Sequence, residues 1–307
     1  MIETTDLGKK FGDYWAVDGI NLSVQPGQVL ALLGQNGAGK TTTVRLLTSL
    51  LSPSRGTATI NGFDVKKQPD QVRSVVGVLT EQHGLYLRMT GLDYLEFFGK
   101  VYEVDPTTRS KRCRYLMEMF GLEQVSLQKI GEYSKGMRQK LALARTLIHE
   151  PPVLLLDEPT SAMDPESARL VRDSIASLRS TNRTIVICTH NLVEAEALAD
   201  QVAIIYRGKI LLNGPVNDIK QKILGPVEFD IQFKGEWPGI PIQLPTGISM
   251  IQGGDHYRRF QIKDPLSANP LLLREVIGKK IEVISFHEVT RTIEQVYLKA
   301  MEQVHHD

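Results

Sequence analysis

GQNGAGKTT, which runs from Gly34 to Thr42, lies between the apolar run Val29–Leu33 and a helical pattern from Thr42 to Leu51. A strand, a glycine-rich loop and a helix in this order are typical of a phosphate-binding loop. The glycines let successive backbone N–H groups point at one anion, beside the positive end of the helix. Phosphate contacts are therefore expected from Gly34, Gln35, Asn36, Gly37, Ala38, Gly39, Lys40, Thr41 and Thr42.

Two side chains of this loop carry chemistry of their own. Lys40 is expected to reach the β- and γ-phosphates of a nucleotide, and the Thr41 hydroxyl is expected to bind Mg²⁺. A plain glycine-rich turn before a helix is the alternative. Because chance produces three glycines, a lysine and a hydroxyl in this pattern in about one chain per thousand, the phosphate-binding interpretation is favoured.

Two adjacent carboxylates, Asp157 and Glu158, end a second apolar run in VLLLDEPTSAMD, residues 153–164. Doubly wound sheets bind their ligands at strand ends. Asp157 is therefore expected to hold Mg²⁺, directly or through water, and Glu158 to orient and deprotonate the attacking water. Taken alone, the two acids could equally cap the turn that begins at Pro159. The phosphate-binding loop upstream favours the catalytic interpretation.

The composition excludes several classes of protein. Of 307 residues, 42% are hydrophobic and 23% are charged, which predicts an ordinary globular chain with room for two domains. Lys plus Arg number 36 and Asp plus Glu number 35, so no nucleic-acid partner is expected. The basic stretch Arg109–Arg114 is interpreted as a solvated helix face. Cys113 and Cys188 lack a CxxC or metal-ligand spacing, which is typical of reduced cytosolic thiols.

The first residues lack the pattern of a signal peptide, and no run reaches the roughly 20 apolar residues that cross a bilayer. A cytoplasmic location is therefore expected.

Two domains are predicted, an α/β domain over residues 1–224 and a small α+β domain over residues 225–307. The first alternates apolar strand-like runs with helical ones, as in a parallel sheet covered by helices. A helical insert is predicted at about residues 90–145, and it begins with a capping box of Thr90 and Asp93. The strands predicted in this domain are Ile20–Val24, Val29–Leu33, Val153–Leu156, Thr184–Cys188 and Val202–Ile205, and a helix is predicted at Ser167–Leu178.

The second domain opens with alternating apolar and polar residues at Phe229–Phe233, the period of a half-buried strand. Strands are also predicted at Tyr257–Ile262 and Ile281–Phe286. Helices are predicted at Asn269–Ile277 and from Thr292, where Gln295 completes a second capping box, and the domain contains no recognisable catalytic or metal-binding set.

The phosphate-binding loop, the two acids and YSKGMRQKLALAR, residues 133–145, resemble the Walker A, Walker B and signature motifs of ABC ATPases. The resemblance implies a P-loop NTPase cassette in which Ser134 and Gly136 contact the γ-phosphate held by a second subunit. Tyr133, Lys135 and Met137 depart from the family's LSGGQ, whereas Ser134 and Gly136 are kept.

Further roles follow from the same resemblance. Phe11, in a KKFG stretch before the first predicted strands, would stack on adenine, and His190 would contact the γ-phosphate. The segment 161–164 would cross the interface between two subunits. In the family, a glutamine links Mg²⁺ to the permease. The spacing in this sequence puts Glu81 at that position, with Gln82 next to it, and either residue could form the link.

The resemblance implies an ATP-binding and ATP-hydrolysing subunit that uses ATP and Mg²⁺ and powers an ABC transporter by ATP-driven dimerisation. The architecture, a cassette followed by a small domain, resembles that of drug-resistance and sodium-efflux exporter ATPases, whose permease is a separate chain. A homodimer or related heterodimer, bound through its permease to the cytoplasmic face of the membrane, is therefore expected. The alternative is a non-transport ABC ATPase acting as a nucleotide-driven clamp, although the coiled-coil insertion or second cassette usual there is not visible.

Overall fold

The computed structural model describes residues 1–80, 84–161, 163–179, 183–235, 237 and 244–306. The chain folds into two compact units, Met1–Val216 and Asn217–Asp307. The helix Val216–Leu224 thus falls almost wholly in the second unit, whereas the sequence pattern assigned it to the first. The domain division at residues 224 and 225 stays a prediction.

The first unit combines strands and helices throughout its length. The strands are β1 (Ile2–Phe11), β2 (Tyr14–Val24), β3 (Val29–Leu33), β4 (Arg55–Ile60), β5 (Phe63–Asp64), β6 (Val76–Leu79), β7 (Val153–Asp157), β8 (Thr184–Thr189), β9 (Gln201–Tyr206) and β10 (Lys209–Pro215). The helices are α1 (Lys40–Leu47), α2 (Pro69–Ser74), α3 (Gly91–Val101), α4 (Pro106–Met119), α5 (Lys135–Thr146), α6 (Pro165–Leu178) and α7 (Leu192–Leu198), and α8 (Val216–Leu224) leads into the second unit.

The central sheet of the described residues has the strand order β10-β9-β3-β8-β7-β6. Its strands are parallel except for β10, which pairs antiparallel with β9. Strands β3, β7 and β8 are buried along their whole length, as expected of continuous apolar runs inside a parallel sheet. Because neighbouring parallel strands end at the same edge, the residues that follow β3, β7 and β8 meet there.

A second sheet, with the order β2-β1-β4-β5, was not predicted. The expectation that Phe11 precedes the first strands is wrong, because Phe11 ends β1 and pairs with Tyr14 in β2. The sequence of β1 does not alternate regularly between apolar and polar residues, because register shifts interrupt its pairing with β2 between Thr4 and Lys10.

The helical insert begins as predicted. Thr90 Oγ1 accepts a hydrogen bond of 3.1 Å from the Asp93 amide and donates one of 2.7 Å to Asp93 Oδ2. The bond from the Asp93 amide caps the start of α3 and is one half of the predicted capping box. The Asp93 side chain accepts from the Thr90 hydroxyl and not from the Thr90 amide. Helix α5 starts at Lys135, where the Ser134 side chain accepts a hydrogen bond from the Met137 amide. Cys113 and Cys188 are free, buried thiols, as expected.

The second unit has an antiparallel sheet of β11 (Val227–Lys234), β12 (Ile248–Gly253), β13 (Tyr257–Ile262) and β14 (Glu282–Glu288), in the order β12-β13-β11-β14. Phe229, Ile231 and Phe233 are buried, which confirms the predicted alternation. The helices α9 (Pro265–Gly278) and α10 (Ile293–His306) also agree with the sequence pattern, whereas β12 was not predicted. Thr292 and Gln295 form the predicted capping box with hydrogen bonds of 3.1 and 3.3 Å.

Across the described part of the chain, no helix is both long and apolar enough to cross a membrane.

Candidate functional site

An open cavity of 610 Å³ lies at the edge of the central sheet where β3, β7 and β8 end. Three segments far apart in sequence meet in it: the phosphate-binding loop, the acids that follow β7, and the histidine that follows β8. Of the predicted site residues, the cavity is lined by Gln35, Asn36, Gly37, Gly39, Lys40, Thr41, Thr42, Asp157, Glu158 and His190. Tyr14, Ala16 and Ser161 complete the lining.

Two glycines of the loop, Gly39 and Gly34, are required for different reasons. Gly39 has a φ of +114°, and a Cβ there would lie 2.6 Å from the Ala16 carbonyl oxygen. At Gly34 the backbone is ordinary, but a Cβ would lie 2.5 Å from the Ile205 carbonyl oxygen. The loop therefore packs its backbone directly against neighbouring strands, which leaves its other side open to the cavity.

Lys40 begins α1 and is 6% exposed. Its ammonium group donates a hydrogen bond of 2.6 Å to the Gly34 carbonyl and lies 3.4 Å from Glu158 Oε1. The positive charge is therefore held inside the loop, beside the carboxylate expected to act as the base.

The candidate magnesium ligands lie side by side. The Thr41 hydroxyl donates a hydrogen bond of 2.8 Å to Asp157 Oδ2, and Asp157 is nearly fully buried. A hydroxyl and a carboxylate oxygen at one cavity wall are hard oxygen donors of the kind that Mg²⁺ prefers. The residues present thus fit a magnesium ion bound together with substrate phosphates.

Glu158 has the most unusual backbone of the site. Its φ of +50° is rare for a residue with a side chain, and its amide donates a hydrogen bond of 2.8 Å to the Cys188 carbonyl of β8. His190 Nδ1 lies 2.8 Å from Glu158 Oε1, and the Thr189 hydroxyl is 3.5 Å from Oε2. The end of β8 therefore holds both the backbone and the carboxylate of Glu158.

The signature residues are outside the cavity lining. Ser134 caps α5 from an exposed place, and Gly136 lies so close to α6 that a Cβ would be 3.2 Å from Ser167 Oγ. Gly34 and Ala38 of the loop are not part of the lining either.

Phe11 is 48% exposed and contacts the Lys9 ammonium, 5.4 Å from its ring centroid, and it does not line the cavity. Tyr14, which pairs with Phe11 across the β1–β2 turn, lines the cavity. Sequence reasoning missed Tyr14, although an aromatic close to Phe11 in sequence was the available signal. Glu81 and Gln82 lie outside the described residues.

A buried carboxyl group next to the site was also missed. Glu194, in the first turn of α7, has no exposed surface. Burial raises the pKa of this carboxyl group, whereas the facing Thr189 and Thr160 hydroxyls lower it. No motif in the sequence signals this residue.

Comparisons with known proteins show which family the chain resembles. The family model described as ABC transporter matches residues 17–161. The ABC transporter ATP-binding protein NatA of Bacillus subtilis (strain 168) is 39% identical over 224 residues, which are 71% of this chain and 91% of that protein. The daunorubicin/doxorubicin resistance ATP-binding protein DrrA of Streptomyces peucetius is 36% identical over 301 residues, 97% of this chain and 91% of that protein.

A solved structure, described as that of an ATP-binding subunit of an ABC transporter, superposes with a TM-score of 0.68 at 27% identity. The superposition covers 73% of this chain and 94% of that one. Its extent confirms that the predicted cassette fold is correct.

Proposed function

The chain belongs to the ABC transporter family of ATP-binding proteins, and we propose that it hydrolyses ATP to drive export through a permease that is a separate polypeptide. The observation that carries the proposal is the meeting of Lys40, Asp157, Glu158 and His190 at one cavity. ATP is the substrate, and membership of the family makes the chain an ATPase.

In this proposal the phosphate-binding loop cradles the phosphates of ATP. The backbone N–H groups at the start of α1 and the Lys40 ammonium supply positive charge to the β- and γ-phosphates. Thr41 and Asp157 would hold Mg²⁺. The bound ion would withdraw negative charge from the phosphate oxygens.

Glu158 is the proposed general base. Its carboxylate takes a proton from water while the water oxygen forms a bond to the γ-phosphorus, and the bond from that phosphorus to the bridging oxygen of ADP breaks. His190 Nδ1, which lies 2.8 Å from Glu158 Oε1, orients the carboxylate, and His190 is also the proposed contact to the γ-phosphate. The products are ADP and inorganic phosphate.

Dimerisation is proposed to complete each site. Ser134 and Gly136 start α5 outside the cavity of their own chain, which suits a role at the nucleotide of a partner. The positive end of α5 would then face the partner's γ-phosphate. Homodimers and dimers with a related subunit satisfy this geometry equally.

Export is supported by the full-length similarity to a daunorubicin/doxorubicin resistance protein, which includes the second unit. The proposed dimer is peripheral on the cytoplasmic face of the membrane through its permease. Glu81 or Gln82 is the proposed link between the nucleotide site and that permease.

The test combines this chain with the polypeptide of about six membrane spans that the proposal requires. A candidate encoded beside this chain is co-expressed, co-purified and reconstituted into liposomes. We expect ATP-dependent solute movement and ATP hydrolysis, both lost in Lys40→Ala because the charge on the β- and γ-phosphates is removed.

The matched control is Lys234→Ala, which removes an exposed lysine of the second unit. Hydrolysis that responds to DNA or ribosomes and never to a membrane partner would favour the nucleotide-driven clamp instead. Normal hydrolysis by Lys40→Ala would contradict the site itself.

A further inference from the structure

The turn that follows β7 holds Glu158 in a backbone conformation that side chains seldom adopt, with a φ of +50°. Such conformations persist only where the surrounding structure over-determines them. The two residues after Glu158 are Pro159 and Thr160, and each is hydrogen-bonded to a different helix.

The Thr160 hydroxyl donates a hydrogen bond of 2.8 Å to Glu194 Oε1. Glu194 lies in the first turn of α7, and this turn is capped by the Asn191 side chain, which accepts from the Val193 and Glu194 amides. Since His190 directly precedes Asn191, the capped helix start fixes Glu194 and His190 relative to each other.

A second hydrogen bond to the turn comes from α5. Gln139 Nε2 donates a hydrogen bond of 2.7 Å to the Pro159 carbonyl, and the Gln139 side chain is buried. Helix α5 begins after Ser134, so one rigid helix joins the signature segment to the turn beside Glu158.

Simple filling of the core does not account for Glu194. A fully buried carboxyl group loses its hydration, and that loss is unfavourable unless hydrogen bonds replace it. An apolar side chain of similar volume would fill the same space without that loss. The hydrogen bond that replaces water at Oε1 goes to the turn that holds Glu158.

We propose that Glu194 is a positioning residue for ATP hydrolysis: through Thr160, and together with Gln139 on Pro159, it holds the turn that aims the Glu158 carboxylate. This inference rests on the proposed function, because it assigns Glu158 as the base. It adds a structural path by which α5 and α7 together set the geometry of that base.

The experiment measures kcat and KM for ATP in four variants of the full chain: Glu194→Ala, Glu194→Gln, Thr160→Val and the double variant Glu194→Ala with Thr160→Val. Glu194→Ala should lower kcat about tenfold or more and leave KM within about threefold, because the phosphate-binding loop is untouched. Glu194→Gln should keep kcat within about threefold, since its amide oxygen still accepts from Thr160.

Thr160→Val keeps the side-chain shape and should reproduce the loss in kcat. If the two residues act through one hydrogen bond, the double variant should be no slower than the slower single variant. If Glu194→Ala does not fold, the kcat of Thr160→Val alone tests whether the hydrogen bond between Thr160 and Glu194 positions the base.

Three results would overturn the positioning role: unchanged kcat in Thr160→Val, a loss in Glu194→Gln as large as in Glu194→Ala, or multiplicative losses in the double variant. The wild-type chain and Lys40→Ala are measured in parallel. A wild-type chain without ATPase activity would overturn the proposed function and this inference together, whereas normal wild-type activity with normal Thr160→Val overturns the inference alone.

Discussion

Thr41 Oγ1 donates a hydrogen bond of 2.8 Å to Asp157 Oδ2, although 116 positions separate the two residues in the chain. The end of β7 and the start of α1 therefore present two oxygen donors to one wall of the cavity. The proposed magnesium site depends on this pair.

Asp157→Asn should raise the Mg²⁺ concentration for half-maximal ATPase activity by roughly tenfold or more, because a neutral amide oxygen replaces a charged ligand. Thr41→Val should act in the same direction, and Thr41→Ser, which keeps the hydroxyl, should stay near wild type. The measurement is a Mg²⁺ titration of ATPase activity at constant ATP. An unchanged Mg²⁺ requirement in both Asp157→Asn and Thr41→Val would reject these ligands.

Glu158→Gln should bind ATP and accumulate as a closed dimer, because the amide keeps the shape of the side chain and cannot take the proton from water. Hydrolysis should fall by roughly 10²-fold to 10⁴-fold. Size-exclusion chromatography with ATP and Mg²⁺ should show the variant as a dimer. Without nucleotide, the variant and the wild-type chain should both be mostly monomers. Normal hydrolysis by the variant would show that Glu158 is not the base.

Tyr14→Ala should weaken ATP binding by roughly tenfold, as expected for loss of a stacking partner of the base. Tyr14 lines the cavity, whereas the half-exposed Phe11 contacts Lys9 beside it. Phe11→Ala is the matched comparison, measured by fluorescence titration with the same nucleotide. A larger loss in Phe11→Ala than in Tyr14→Ala would return the adenine contact to Phe11, the residue that the family resemblance implies.

We expect His149 to make the stability of the fold depend on pH. Burial lowers the pKa of its imidazole to about 4, and the ring stacks on Tyr102 with centroids 3.8 Å apart. Because the folded pKa lies below that of the unfolded chain, the stability contributed by neutral His149 is complete above about pH 6.5 and is lost as pH falls towards 4.

His149→Phe keeps an aromatic ring for stacking and removes the titration. The free energy of unfolding of the wild-type chain should fall between pH 6.5 and 4.5 by about 1–2 kcal/mol more than that of the variant. Urea titrations at several pH values measure this difference, with His287→Phe as an exposed control. Parallel curves for wild type and His149→Phe would assign the acid sensitivity to other groups.

A chain ending at Leu224 should fold and bind ATP, because the phosphate-binding loop, both acids, Ser134 and His190 all belong to the unit Met1–Val216. Its dimerisation or its transport-coupled activity should be impaired. The sequence of the second unit shows no recognisable catalytic or metal-binding set, and we therefore expect this unit to stabilise or regulate the dimer. Circular dichroism, nucleotide binding and size-exclusion chromatography beside the full chain test this. Misfolding with complete loss of ATP binding would show that the two units share one core.

Local sequence patterns were enough to predict several parts of the site and of the fold. The phosphate-binding loop follows from glycine spacing, because only glycine permits the φ of Gly39 and the close approach at Gly34. The starts of α3 and α10 follow from capping residues, Thr90 and Thr292, that accept a hydrogen bond from the amide three residues on. The buried strands β3, β7 and β8 follow from apolar runs, since a strand inside a parallel sheet has no solvent face.

Only the folded chain decides which side chains contact one another within and beside the site. Three features depend on residues from different elements. They are the hydrogen bond between His190 and Glu158, the presence of Tyr14 rather than Phe11 in the cavity lining, and the hydrogen bond from Thr160 to the buried Glu194. Sheet order, strand register and helix packing set these contacts, and each arises from interactions across the whole unit. A local sequence pattern does not predict these contacts, because an acid, an aromatic residue or a histidine with the same neighbours in sequence can have many different surroundings in a folded chain.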